Sequence, residues 1–529
     1  MASRAQRQTL SSPRVEDILG LTVRALDRAR MSRDPRFDGK FFIAITSTKI
    51  YCRPICPSPH AKRRNVRYYA TAAAAAAAGY RPCLRCRPEA APGTPAWLGT
   101  SAIVRRALRL IDDGFLDHKT VDELADRLGI GPRHLHRLFL RHVGAPPLAM
   151  ALTRRLHFAK RLIDETQLPI TEIAFAAGFK SIRRFNSAFQ ETFSRAPREL
   201  RRHPLVQSAA GADDVVLRFA FRPPYDWPQL RDYLARRAAP GVEIVVDNSY
   251  LRTVRIGNSL AVLRVRPING EDALELHVTG ATPATLLQIS ANARRAFDIA
   301  SDPALIASAF RSDALLATLV QRRPGLRIPG AWDPFECAVR AILGQQISVP
   351  GARTLAGRLV ARAGRAVATG TAGLTHVFPT PQEIVRADLR RLGITQSRIE
   401  AIRALSRAVA EGAIDFHATA EAVCEQLTNV AGIGDWTAQY VALRGLGEPD
   451  AFPASDLVLR NVASGSDALL STKKMQAVAE RWRPWRGYAA MHLWSAAADH
   501  APSARHNPQD RAARLSKRMS NTSEIRKRN

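Results

Sequence analysis

Apolar and polar positions repeat along this chain with two different periods, and the changes of period divide it. About the first 15 residues carry neither. From Glu16 to Arg30 the apolar positions fall at helical spacing and predict a short helix. The turn-forming run Asp34-Pro35-Arg36-Phe37-Asp38-Gly39 then leads into an alternating, β-prone stretch from Phe41 to Tyr51. Ala72 to Ala78 is an alanine run and predicts a helix, because alanine loses least on entering one. Ala91-Pro92-Gly93-Thr94-Pro95 punctuates the chain as a linker. From Ser101 to Arg202 the spacing is helical throughout, and His203 to Asp213 forms a second linker. Strand-like stretches follow at Val215–Phe221, Val242–Val246, Leu260–Arg266 and Ala273–Val278, and from Pro283 to Asp499 the helical period returns. The last 29 residues hold eight Lys or Arg against two acids and no periodicity, so they read as a disordered basic tail.

These periods predict a multidomain α+β protein. Its parts are a small α/β module over 16–90, an all-α unit over 100–202, a β subdomain over 214–282, a helical domain over 283–500 and the tail over 501–529.

Charge narrows the partner. The 529 residues carry 78 Lys or Arg against 47 acids, a formal net charge of +31 spread along the chain, which points to a polyanion and first to nucleic acid. With neither an early apolar signal region nor a membrane-spanning run, the sequence reads as a soluble, cytoplasmic protein without a membrane partner. No coiled-coil seam is visible, so a monomer is expected.

Cys52-x3-Cys56 and Cys83-x2-Cys86 put four thiols in two close pairs, the donor set of one tetrahedral Zn²⁺. Cys337 and Cys424 stand alone and read as packed thiols. From spacing alone the cluster is either a structural zinc knuckle or a reactive site. Its flanks are more specific: Arg53-Pro54, His60, Arg63-Arg64-Asn65-Val66 and Gly79-Tyr80-Arg81-Pro82 around the cysteines resemble the N-terminal methyl-acceptor domain of Ada-type adaptive-response proteins, over roughly residues 32 to 88. That resemblance implies irreversible transfer of a methyl group from a DNA phosphotriester to one zinc-bound cysteine, at the position of Cys52. Arg53, Arg63, Arg64, Arg67, Arg81 and Arg85 are the candidate phosphate contacts. Methylating one of four thiolates removes one unit of negative charge; for a DNA phosphate ~8 Å away this relieves about 2 kcal/mol of repulsion at an effective dielectric near 20, so methylation is expected to tighten DNA binding.

In the all-α unit, Thr120-Val121-Asp122-Glu123 is a capping box opening a helix through Leu124, Ala125 and Leu128, which Gly129 ends. A second helix from about Pro132 to Arg141 presents Arg133, His134, His136 and Arg137 on its polar side. The pattern recurs at Ile170–Ala174, a turn at Gly178 and a helix containing Ser181, Arg183, Arg184 and Asn186. Two such units suggest two adjacent major-groove contacts. The segment resembles the AraC-type DNA-binding domain, most specifically at Ala174, Gly178-Phe179, Ser181, Phe185-Asn186, Phe189, Phe193 and Pro197. The resemblance implies a double helix-turn-helix fold and activation of repair genes, with RNA polymerase at target promoters as a partner.

Further on, Val430-Ala431-Gly432-Ile433-Gly434-Asp435 is a Gly-x-Gly turn between helical segments, suited to holding a DNA phosphate through backbone N–H groups. Together with Arg340–Gln346, Trp436–Gly445, Asp456 and Trp485–Trp494 it resembles AlkA-type 3-methyladenine DNA glycosylases, over about residues 214 to 500. The resemblance implies a helix-hairpin-helix fold in which Asp456 is the catalytic carboxylate and Trp436, Tyr440 and Trp494 line the base pocket. It also places Gln346 where the family inserts an apolar wedge into the vacated base stack, so that a polar amide stands at the wedge position here. Gly432 and Gly434 would grip the backbone, and the hairpin carbonyls offer a place for a monovalent cation. Bifunctional helix-hairpin-helix enzymes carry a Schiff-base lysine just after the hairpin; Trp436 stands there, which implies base excision without strand cleavage. Neither Cys337 nor Cys424 lies in a Pro-Cys-His-Arg motif, so direct O6-methylguanine repair is not expected.

The combined expectation is double-stranded DNA, including alkylated DNA, as partner, and a chain that senses methylated backbone, activates transcription and excises N-alkylated purines such as 3-methyladenine. The competing reading is a zinc-containing regulator whose glycosylase-like half is inactive and only grips DNA.

Overall fold

A computed structural model of the protein describes residues 20–92, 102–201, 214–464 and 469–500. The N-terminal module is a four-stranded sheet between two helices. Its strands run in the order Val66–Tyr69, Phe42–Ile45, Ile50–Cys52, Arg81–Pro82. Alternation along the strands feeds two small cores. Phe41 and Ile43 pack with Leu26 of the helix Val23–Met31, while Phe42, Ala44 and Tyr51 pack with Ala75 of the alanine helix Ala72–Ala77.

Two expectations need correcting here. Among the described residues the expected helix starts at Val23, because Gly20 takes a positive φ and the Thr22 side chain caps the Ala25 N–H; the part of the expected helix before residue 20 lies outside the described residues. The run Phe41–Tyr51 is an antiparallel hairpin instead of one strand, pairing Ile43 with Cys52 and turning through Lys49 at φ 55°. The linker from residue 93, the linker over 203–213 and the basic tail also fall outside the described residues.

The helical unit follows the capping signals closely. Val121–Leu128 opens on the reciprocal Thr120–Glu123 capping box and ends at Gly129 with φ 71°. Pro132–Val143 follows it, and the helix Pro147–Glu165 joins this first helix-turn-helix to the second, Ile170–Ala176 and Ile182–Phe193. Ser181 sits just outside the last of these as its N-cap, its hydroxyl accepting the Arg184 N–H.

The β subdomain is a five-stranded antiparallel sheet in the order Asp214–Ala220, Ala273–Thr279, Ser259–Pro267, Ser249–Ile256, Glu243–Val246. Sequence reading passed over the strand Ser249–Ile256 and the helix Trp227–Arg237. Pro228 looks like a breaker there, yet it lies in the first helical turn, where its missing N–H costs nothing. One continuous apolar cluster joins this sheet to the helix Leu286–Ala296 and to Phe179, Phe185, Phe189 and Phe193 of the second helix-turn-helix. The remaining helices, from Pro303–Ala309 to Arg486–His500, share a separate large core. Among the described residues, no helix is long and apolar enough to cross a membrane.

Candidate functional site

Two sites emerge, one in the N-terminal module and one in the C-terminal helices. The strand Ile50–Cys52 delivers Cys52, the loop after it delivers Cys56, and the chain beyond the strand Arg81–Pro82 delivers Cys83 and Cys86. Their four sulfurs lie within 4.8 Å of one another. A tetrahedral zinc–thiolate site with bonds near 2.3 Å needs sulfurs about 3.8 Å apart, so this donor set fits Zn²⁺. Packed this closely the thiols compete for protons: their mutual hydrogen bonds push Cys52 and Cys86 far above the usual thiol range and Cys56 far below it. Cys56, Cys83 and Cys86 are buried, whereas Cys52 is partly exposed. Cys52, the expected methyl acceptor, is thus the most accessible of the four.

The arginines around the cluster divide. Arg64, Arg67 and Arg85 are exposed and Arg81 is half-buried. Arg63 is exposed but engaged with Asp27 and with the face of Tyr68. Arg53 corrects the expectation of a phosphate contact. It is 7% exposed, donates to Asp38 through Nε at 2.8 Å and through Nη2, and reaches the Cys86 carbonyl at 3.1 Å. Its backbone N–H also points at Cys86 Sγ at 3.3 Å. A guanidinium taken up in this way braces the cysteine loops. In the helical unit, Arg133, His136, Arg137, Arg183, Arg184 and Asn186 are all exposed on the second helices of their pairs, and Ser181 is half-buried at its cap.

At the second site a cavity of about 460 Å³ opens between the β subdomain and the helices. Asp456, Trp436, Tyr440 and Trp494 all line it, so the four residues picked from sequence converge. Trp436 and Tyr440, one turn apart on the helix Asp435–Arg444, stack at 5.2 Å with 14° between their planes. Tyr440 meets Trp494 edge-on at 6.2 Å. Asp456 accepts the indole N–H of Trp436 at 2.7 Å on Oδ2 and that of Trp494 at 3.2 Å on Oδ1. It also accepts the Leu459 N–H at 2.9 Å, so the carboxylate faces the cavity and caps the helix Leu457–Ser464 at once. Burial pushes the Tyr440 hydroxyl up to about 12, which keeps it neutral.

Sequence reading missed three contributors. Tyr233 comes from the overlooked helix, Trp332 from a loop, and Arg444 donates to the Tyr440 hydroxyl from behind. For Arg444 a signal existed, since it lies one turn beyond Tyr440 on the same helix.

The hairpin stands beside this cavity. Gly432 and Gly434 are exposed, and Gly434 caps the helix that carries Trp436. Gln346 is exposed at a positive φ of 55°, a backbone state rare for a side-chain-bearing residue. Its neighbour Gln345 ties that loop to the hairpin, donating to the Gly432 carbonyl at 3.1 Å and the Thr437 hydroxyl at 3.2 Å.

Comparison with known proteins covers both sites. Residues 25–89 match the metal binding domain of Ada, 124–203 a helix-turn-helix domain, 216–333 the AlkA N-terminal domain, and 339–486 the HhH-GPD superfamily base excision DNA repair protein. The probable bifunctional transcriptional activator/DNA repair enzyme AlkA of Mycobacterium tuberculosis is 41% identical over 479 residues, covering 88% of this chain and 95% of that protein. DNA-3-methyladenine glycosylase 2 of Escherichia coli is 34% identical over 52% of this chain and 95% of its own length. The bifunctional transcriptional activator/DNA repair enzyme Ada of Escherichia coli is 33% identical over 36% of this chain and 50% of its own length.

Proposed function

Because this chain belongs to the family of bifunctional transcriptional activator/DNA repair enzymes of the AlkA type, we propose that it is a DNA alkylation-response protein with three linked activities. It accepts methyl groups from DNA phosphotriesters, activates transcription from specific sites, and excises N-alkylated purines as a DNA glycosylase. The observation that carries the reading is the convergence of Asp456 with Trp436, Tyr440 and Trp494 on one cavity beside the Gly432–Gly434 hairpin.

An extruded purine stacks on the aromatic faces, which attract a cationic N-alkylated base by cation–π forces. Such a base is already a good leaving group, so the carboxylate of Asp456 has only to stabilise the cationic sugar and orient the attacking water. Since Trp436 occupies the place of a Schiff-base lysine, cleavage stops at the abasic site. In the N-terminal module Cys52, Cys56, Cys83 and Cys86 would hold Zn²⁺, which when bound would keep the thiols deprotonated. The Cys52 sulfur attacks the methyl carbon; the S–C bond forms as the C–O bond breaks, and the diester phosphate leaves with the electron pair. Arg64, Arg67, Arg81 and Arg85 attract the phosphates, while Arg133, His136, Arg137, Ser181, Arg183, Arg184 and Asn186 address the operator, with RNA polymerase recruited beside it. A monovalent cation at the hairpin and a cytoplasmic monomer complete the reading, with domain limits at 16–90, 100–202, 214–282 and 283–500.

Asp456→Asn separates this from a regulator with an inactive glycosylase half. Released base is measured from a 7-methylguanine duplex, alongside duplex affinity. Excision is expected to fall by about 10²- to 10³-fold or more with affinity kept; excision absent from the wild type supports the inactive half, and excision equal in the variant removes Asp456 from the chemistry.

A further inference from the structure

We propose that Trp436 and Trp494 are positioning residues for Asp456, so that the aromatic surface receiving the extruded base also sets the direction of the carboxylate. The proposal rests on the glycosylase reading above. A carboxylate offers four lone-pair directions, two on each oxygen. Three are taken here: Oδ1 accepts the Leu459 N–H at 2.9 Å and the Trp494 indole at 3.2 Å, and Oδ2 accepts the Trp436 indole at 2.7 Å. Among the described residues, one direction on Oδ2 is left for the sugar or the water.

The helix-capping bond alone would not fix that direction, because the terminal torsion of an aspartate side chain is soft. The two indoles approach from separate helices, Asp435–Arg444 and Arg486–His500, and hold both oxygens. An indole N–H only donates, so neither partner can reverse the arrangement.

The same rings form one connected wall. Trp436 stacks on Tyr440, Tyr440 meets Trp494, and Arg444 braces Tyr440 from behind while its Nε is anchored on the Pro329 carbonyl at 2.7 Å. A base that seats flat leaves the indoles aimed at Asp456; a base that tilts them turns the carboxylate away. A misplacement of about 1 Å at a reacting group costs on the order of 10²-fold in rate. Discrimination among bases therefore falls on the chemical step more than on binding. In that step the C1′–N bond breaks with its electron pair leaving on the alkylated base, the oxygen of water bonds to C1′, and the water proton passes through the open Oδ2 position to solvent.

Trp436→Phe and Trp494→Phe keep a ring and remove a donor. Single-turnover release of 7-methylguanine at saturating protein should drop about 10- to 100-fold in each, the effect of one hydrogen bond to a charged group, while affinity for a duplex bearing a stable abasic-site analogue stays unchanged. A second measurement does not depend on those variants folding. Of the seven tryptophan indole N–H signals in ¹⁵N-tryptophan-labelled protein, those of Trp436 and Trp494 should shift in Asp456→Asn. Unchanged single-turnover rates with loss only in duplex affinity, or indole signals that stay put in Asp456→Asn, would overturn the positioning role. A wild-type protein that releases no base would instead fail the glycosylase reading itself.

Discussion

Arg53 and Arg64 look alike in the sequence, two arginines beside a cysteine cluster, and the fold gives them opposite tasks. Arg64 faces water, whereas Arg53 is paired with Asp38 inside the module. Removing one partner of a buried pair leaves the other charged and uncompensated, so Arg53→Ala should destabilise the module by about 3–5 kcal/mol. Arg64→Ala should leave stability within about 0.5 kcal/mol and weaken DNA binding with a smaller salt dependence. Denaturant melts and salt titrations of the two variants check both; a stable Arg53→Ala protein would return that residue to the DNA surface. The cysteines were legible because short spacing forces them together whatever the fold. The fate of Arg53 was not, because its partner Asp38 lies on the far side of a hairpin that alternation alone did not reveal.

Among elements, those with their own end signals could be read before folding: the Thr120 capping box, the Gly129 stop and the Gly432–Gly434 hairpin lie where the residue types place them. Gly432 has φ 88°, and a Cβ there would meet the Cβ of Ala401 at 2.8 Å. Gly432→Ala is therefore strained twice over and should weaken binding to an abasic-analogue duplex by on the order of 1–2 kcal/mol, measured by fluorescence anisotropy. Gly434 has open space around its Cβ position, so Gly434→Ala should cost less. Equal effects would mean that hairpin shape is not what holds the DNA. Elements without such signals were missed: the strand Ser249–Ile256 is half charged and polar, and it becomes a strand because both neighbours pair with it.

At the scale of the whole molecule, the contacts between parts could not be read from sequence at all, because they join residues far apart in the chain. Tyr51, next to Cys52, hydrogen-bonds His157 at 3.0 Å on the helix Pro147–Glu165, and Arg87, next to Cys86, pairs with Asp164 of the same helix at 2.8 Å. The same helix also reaches the β subdomain, where Arg161 donates to the Arg218 carbonyl at 2.7 Å. His157 lines a cavity of about 410 Å³, and burial pushes its imidazole down to about 4. The unfolded imidazole takes its proton first, so the seam keeps its full stability above the ordinary value near 6.5 and loses it as pH falls from there toward 4. Asp298, pushed up to about 6 by burial, acts with the opposite sign, so the His157 ring signals by NMR are the quantity to follow in place of global unfolding. A midpoint near 6.5 would mean that the seam is open. The central claim, that one chain both accepts methyl groups and excises alkylated bases, is tested most directly with duplex DNA carrying radiolabelled methyl groups on phosphates and purines. After incubation with the full-length protein, the label is divided among protein, free bases and residual DNA. The account predicts label on Cys52 and released methylpurines, the first lost in Cys52→Ser and the second in Asp456→Asn, each without the other; label remaining wholly in the DNA would contradict it.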